Sequence, residues 1–162
     1  NVTVMSRQQS FGGCQLASAN AALAEGTAME GGMLSVEPAK NLQKDAVIRL
    51  MAETLPLAGY RGVRADLPGW LSPEVIHGAH QDHRPALFCQ APKPTFFDVL
   101  SMGPVTLEEV ASRWQLFASA AELTGGEFHV VIPKWISGRD GRQLAKQIAE
   151  LVGVRLSFIW AV

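Results

Sequence analysis

Two short apolar runs, a helix with one apolar stripe and a third apolar run constrain this chain more than anything else in it. Ala86–Gln90 and Thr95–Ser101 read as strands, Thr106 to about Leu123 as a helix, and Glu127–Pro133 as a further strand. Phe97 and Val99 alternate with Phe96, Asp98 and Leu100, so Asp98 lies on one face of a mostly apolar strand. Leu107, Val110, Ala111, Trp114, Phe117, Ala118 and Ala121 recur at helical spacing behind the capping-box signature Thr106-Leu107-Glu108-Glu109. Gly125-Gly126 then breaks the chain before the next strand. A strand, an amphipathic helix and a strand in succession imply parallel neighbours with the helix on the sheet face. The two early strands, with little chain between them, imply an antiparallel pair.

The flanking segments extend this unit. Ala39 to about Leu57 is expected to be a helix whose face is Leu42, Val47, Leu50, Met51 and Leu55, closed around Pro56 and Gly59. Tyr60–Ala65 alternates as a strand, and Leu67–Gln81, with Pro68-Gly69 and Pro73, reads as a loop. Ser137–Asp140 opens a last helix with the face Leu144, Ile148, Leu151 and Val152, and Gly153 closes it. Val154–Trp160 alternates and forms a final strand. The order is helix, three strands, helix, strand, helix, strand: an α/β domain with a mixed sheet flanked by helices. Residues 1–38, rich in glycine around an Ala-rich stretch from Cys14 to Glu25, are expected to be an N-terminal appendage or linker to a domain at 39–162.

Bulk properties exclude several classes. A chain of 162 residues can bury one real core, and it holds no apolar run of the ~18 residues that a membrane span needs. No secretory pattern is visible, and because Asn1 is not an initiator the true N-terminus is expected upstream. A net charge of −1 argues against a strongly basic nucleic-acid binder. It leaves room for a local basic face: Arg61, Arg64, His80, His83, Arg84 and Lys93 fall close together, and Arg139, Arg142 and Lys146 lie near the end. Cys14 and Cys89 match neither a disulfide framework nor a metal spacing, so two reduced thiols and a cytoplasmic location are expected.

The element order and several stretches resemble the restriction-endonuclease-like superfamily, the PD-(D/E)xK nucleases. Those stretches are Ala58-Gly59-Tyr60, Val63–Gly69, His83-Arg84-Pro85, Phe97-Asp98-Val99, Trp114–Phe117 and Val130–Lys134, within residues 40 to 160. The resemblance implies a restriction-endonuclease-like fold, with two carboxylates from adjacent strands around a Mg²⁺ and a lysine two residues beyond the second. Here Ala86 stands where the first carboxylate belongs, Asp98 matches the second, and Leu100 occupies the lysine position. A degenerate domain is therefore expected, with a non-catalytic or weakly catalytic role in DNA transactions through DNA or partner binding, and no cofactor. An active alternative would rearrange the site, with Asp98 on Mg²⁺, Glu53 as a second carboxylate and Lys134 or Lys93 as the lysine; Gln115 could face the same cleft. DNA contacts would fall to Arg61, Arg64, His83, Arg84 and Lys93. A larger assembly or a homodimer is a further expected partner, and an interaction module that never meets DNA is the third reading.

Rival constellations are weaker. Cys14 before an Ala-rich helix, with His129 as base, would make a thiol hydrolase, but no third orienting residue is evident. His77, His80 and His83, with Asp82 and Cys89 nearby, could gather around zinc, though the spacing fits no standard site and loop histidines explain it as well. Trp135 invites base stacking, whereas Trp114 and Trp160 read as core and Trp70 as a loop anchor. Gly138–Arg142 lacks the lysine of a phosphate-binding loop.

Overall fold

The computed structural model describes residues 37–101 and 105–162; the readings made on residues 1–36, including Cys14, lie outside them. The elements are α1 (Glu37–Thr54), β1 (Arg64–Ala65), β2 (Leu87–Cys89), β3 (Thr95–Val99), α2 (Leu107–Thr124) and β4 (Glu127–Ile132). After them come β5 (Trp135–Ile136), β6 (Arg139–Asp140), α3 (Gly141–Val152) and β7 (Phe158–Ala161). The main sheet has the order β1-β2-β3-β4-β7. β1, β2 and β3 pair antiparallel, while β3–β4 and β4–β7 are parallel. This is an α/β fold with a mixed sheet flanked by helices.

Two apolar layers hold it together. On one face Ile48, Met51, Ala52 and Leu55 pack against Leu87, Phe97, Val99 and Val131. On the other, Val110, Trp114, Phe117 and Ala121 of α2 join Ala145, Ala149 and Val152 of α3 over Phe96, Phe128, Val130 and Ile132. Successive parallel strands advance across the sheet in one direction, and crossovers of one hand then carry both connecting helices to the same face. That leaves α1 alone to cover the other.

The middle unit forms as its pattern predicts. Thr106 Oγ1 accepts from the Glu109 amide and Glu109 Oε2 accepts from the Thr106 amide, both at 3.2 Å, completing the capping box. Gly125 ends α2 with φ of 64°, in the left-handed region that glycine adopts freely. At Gly126 the Pro94 carbonyl oxygen lies where a Cβ would stand, and the Glu127 amide donates to that oxygen at 2.8 Å.

Other expectations need correction. Met51 and, just beyond α1, Leu55 are buried as expected and Val47 packs against them, but Ile48 and Ala52 complete the buried stripe and Leu50 is 54% exposed. A helix with aliphatic residues on several sides does not single out its core face by periodicity alone. In α3 the expected Val152 is buried and Ile148 packs beside it, but Leu151 is 73% exposed and Ala145 and Ala149 complete the buried row. Small residues let α3 lie close on the sheet. Tyr60–Ala65 shrinks to Arg64–Ala65 plus an isolated bridge from Arg61 to Ala91, and the final strand starts only at Phe158. Trp135–Ile136 and Arg139–Asp140 form a small antiparallel hairpin before α3, which Asp140 caps by accepting from the Gln143 amide at 3.1 Å.

Candidate functional site

Asp98 is the carboxylate that its sequence context singled out, and it is 3% exposed. Its Oδ2 accepts from Trp114 Nε1 at 2.9 Å and from Arg113 Nη2 at 3.2 Å, so two consecutive residues of α2 hold it. A buried carboxylate demands such partners, because leaving it unpaired away from water is costly. The pairing with Arg113 is through one nitrogen; the Arg113 Nε is buried without a partner among the described residues.

The other expected members of a metal site lie elsewhere. Glu53 is exposed on α1, which packs on the sheet face opposite to α2. Lys134 is exposed beyond β4, a rise of roughly 13 Å from Val130, the register partner of Asp98. Ala86 and Leu100 are buried among apolar side chains, 5% and 7% exposed. Mg²⁺ needs several oxygen ligands in a near-octahedral array. One carboxylate already shared by a guanidinium and an indole does not fit it. No group of three His, Cys, Asp or Glu side chains able to hold a metal gathers among the described residues, the loop histidines included.

The basic residues come together only in part: Arg61, Arg64 and Arg84 lie along the β1–β2 edge, while Lys93 reaches Glu127 at the start of β4 and His83 is turned to α2. Arg61 bridges Ala91, Arg64 registers with Phe88, Arg84 contacts Asp66, and Lys93 sits in the turn between β2 and β3. Most of them carry a carboxylate with them. Arg64 pairs with Glu74 at 3.2 Å, Arg84 with Asp66 at 3.4 Å and Lys93 with Glu127 at 3.5 Å. His83 adds no positive charge at neutral pH: burial, and then Arg113 nearby, hold its imidazole below the ordinary range. Its Nε2 instead bonds Ser112 Oγ at 2.9 Å, which ties the 76–83 loop to α2. A cleft of about 610 Å³ opens beside this edge, floored by Phe88 and Phe96 with Arg64, Glu74, His77 and Gln90 around it.

A second polar centre was not foreseen. His129, 2% exposed, accepts from Trp160 Nε1 at Nδ1 (3.2 Å) and meets Glu127 Oε2 through Nε2 (3.0 Å). An indole can only donate, so Nδ1 is the acceptor and Nε2–H donates to Glu127. Tyr60, Phe97, Phe158 and Trp160 surround the imidazole, with ring centroids between 5.1 and 6.4 Å from it. Burial pushes the His129 imidazole below its ordinary range, against the opposing pull of Glu127. The i, i+2 spacing of Glu127 and His129 was readable as one strand face, but Trp160 arrives only through strand pairing.

The remaining candidates have structural employment. Gln115 Nε2 donates to the Val152 carbonyl at 2.9 Å, closing the end of α3. Burial pushes the Cys89 thiol up to about 12, so it is not a nucleophile at neutral pH. Compared with protein-family models, with curated proteins and with solved structures, the chain gives no match.

Proposed function

We propose that this chain is a binding domain of restriction-endonuclease-like type whose catalytic motif has decayed, and that it serves DNA transactions by contact rather than by cleavage. The observation that carries this reading is the commitment of Asp98 to Arg113 and Trp114, with apolar residues at both companion positions. Three antiparallel strands, a crossover helix and a parallel strand, with α1 on the opposite face, are compatible with the resembled family and support the fold half of the proposal. Fold-level likeness is a weak warrant for function, so the chemistry of the site decides.

Purified protein should leave plasmid DNA intact with Mg²⁺ or Mn²⁺. Cleavage that Asp98→Asn abolishes while the fold survives would end the decayed-site reading. Duplex binding should be weak and salt-sensitive. If Arg61, Arg64, Arg84 and Lys93 all released counterions, log K would fall with log salt at a slope near −3.6, about 150-fold between 50 and 200 mM. Their internal carboxylate partners should hold the measured slope below that. No binding at ~50 mM salt would favour the second reading, an interaction module without DNA, which the mixed charge of that edge also supports.

A further inference from the structure

The two edges of the sheet are built differently. β1 is two residues long, carries Arg64, and is flanked by Arg61, Gly62, Asp66 and Pro68. Short length, charge and proline are how edge strands avoid pairing with other chains. β7, four residues long, lacks the charge and the proline: Leu156–Val162 contains no charge, no proline and no glycine. Among the described residues nothing pairs with its outer side.

Its backbone is poised to pair. The Val162 amide donates to the Ile132 carbonyl at 3.0 Å and the Val162 carbonyl accepts from the Lys134 amide at 2.8 Å, so this residue faces β4. Alternation along a parallel ladder makes Trp160 and Phe158 face β4 as well, and turns the amides and carbonyls of Ile159 and Ala161 outward. Phe158, Trp160 and Val162 share one side-chain face. Phe158 and Val162 are 48% and 43% exposed, and the Phe158 and Trp160 rings lie 5.0 Å apart.

We propose that β7 pairs antiparallel with β7 of a second copy of this chain, across a two-fold axis at Trp160, joining two five-stranded sheets into one. The strand is self-complementary about that centre. Ile159 of one copy meets Ala161 of the other in a hydrogen-bonded pair, twice over, which answers every outward group of the strand. On the side-chain face Trp160 meets its own counterpart, and Phe158 opposes Val162 in both halves. An isologous interface requires this exchange of i with j and j with i. The absence of charge along the row leaves nothing to select an unlike partner. The inference does not depend on the DNA reading.

Sedimentation velocity or light scattering on the full chain, from about 1 to 100 µM, tests it. Twice the monomer mass is expected at the upper end. Phe158→Glu alone and Val162→Lys alone should give monomers, and the double variant should recover the dimer, because each glutamate then faces a lysine across the axis. Hydrogen exchange on the unaltered chain guards against variants that fail to fold: the Ile159 and Ala161 amides should gain protection as concentration rises. A monomer at every concentration overturns the proposal, including one whose Ile159 and Ala161 amides are already protected, since its own chain then covers β7. A dimer that both single substitutions leave intact, or one that the double variant fails to restore, overturns it too.

Discussion

Asp98 and His129 lie on neighbouring strands, offset by one residue in register, and look to opposite faces of the same sheet. Both are buried and polar, yet they are satisfied in different ways. Asp98 takes its partners from one turn of one helix, an indole N–H and a guanidinium, and so pins α2 to β3. His129 takes one partner from its own strand and one from the edge strand β7, and Glu127 in turn meets Lys93 in the solvent-facing turn. The first centre is an ion pair reinforced by an indole N–H. The second is neutral as folded and able to take a proton, so it is the one whose strength conditions can change. A buried polar side chain is thus not evidence of a reaction site until its partners are known.

The comparison can be broken most severely at Trp114. Trp114→Ala removes a fully buried ring and one of the two donors to Asp98, and should cost about 3–5 kcal/mol in a denaturant titration. A loss under about 1 kcal/mol would mean that α2 does not seal this face. Next comes Asp98→Ala, which leaves Arg113 and the indole unanswered; roughly 2–4 kcal/mol is expected, because Arg113 retains some access to water. Asp98→Asn keeps an acceptor for the indole and should lose only about 1–2 kcal/mol. Equal losses for Ala and Asn would show that the charge, not the hydrogen bond to Trp114, holds this centre together.

On the other face, Trp160→Phe removes the donor to His129 while keeping most of the ring. It should cost about 1 kcal/mol and loosen β7, read as faster exchange of the amides between Phe158 and Val162. Unchanged exchange there would detach His129 from the edge strand. The smallest effect is the pH dependence. Below the ordinary histidine value of 6.5 the unfolded chain takes up a proton that burial denies the folded imidazole. Stability should therefore be full above that pH, decline as pH falls through it, and level off below the depressed folded value. His83 shifts in the same direction, so its contribution adds. His129→Gln should flatten the profile between pH 7 and 5; a profile that Asp98→Asn alters and His129→Gln does not would reverse the assignment of the two centres.

Much of the architecture is legible in the residues themselves. The α2 stripe and its capping box, the Gly125-Gly126 stop, and the alternation through Phe96–Leu100 are local patterns, and they place the central strands and helix within a residue or two. The amphipathic faces of α1 and α3 are less so, because Leu50 and Leu151 satisfy periodicity as well as the residues buried in their stead. At the candidate site, an isolated carboxylate in an apolar strand announces that a partner must exist. It does not name Arg113, since any donor on the covering helix would serve.

What the sequence determined alone is therefore the set of elements and the antiparallel and then parallel character of the sheet. Tertiary structure alone decided that Asp98 is spent on α2, that Glu53 lies across the sheet from it, and that Trp160 reaches His129. The reason is the range of the forces involved. Helix stripes, caps and turns depend on residues a few positions apart, whereas a buried hydrogen bond depends on which distant strand or helix packing brings alongside.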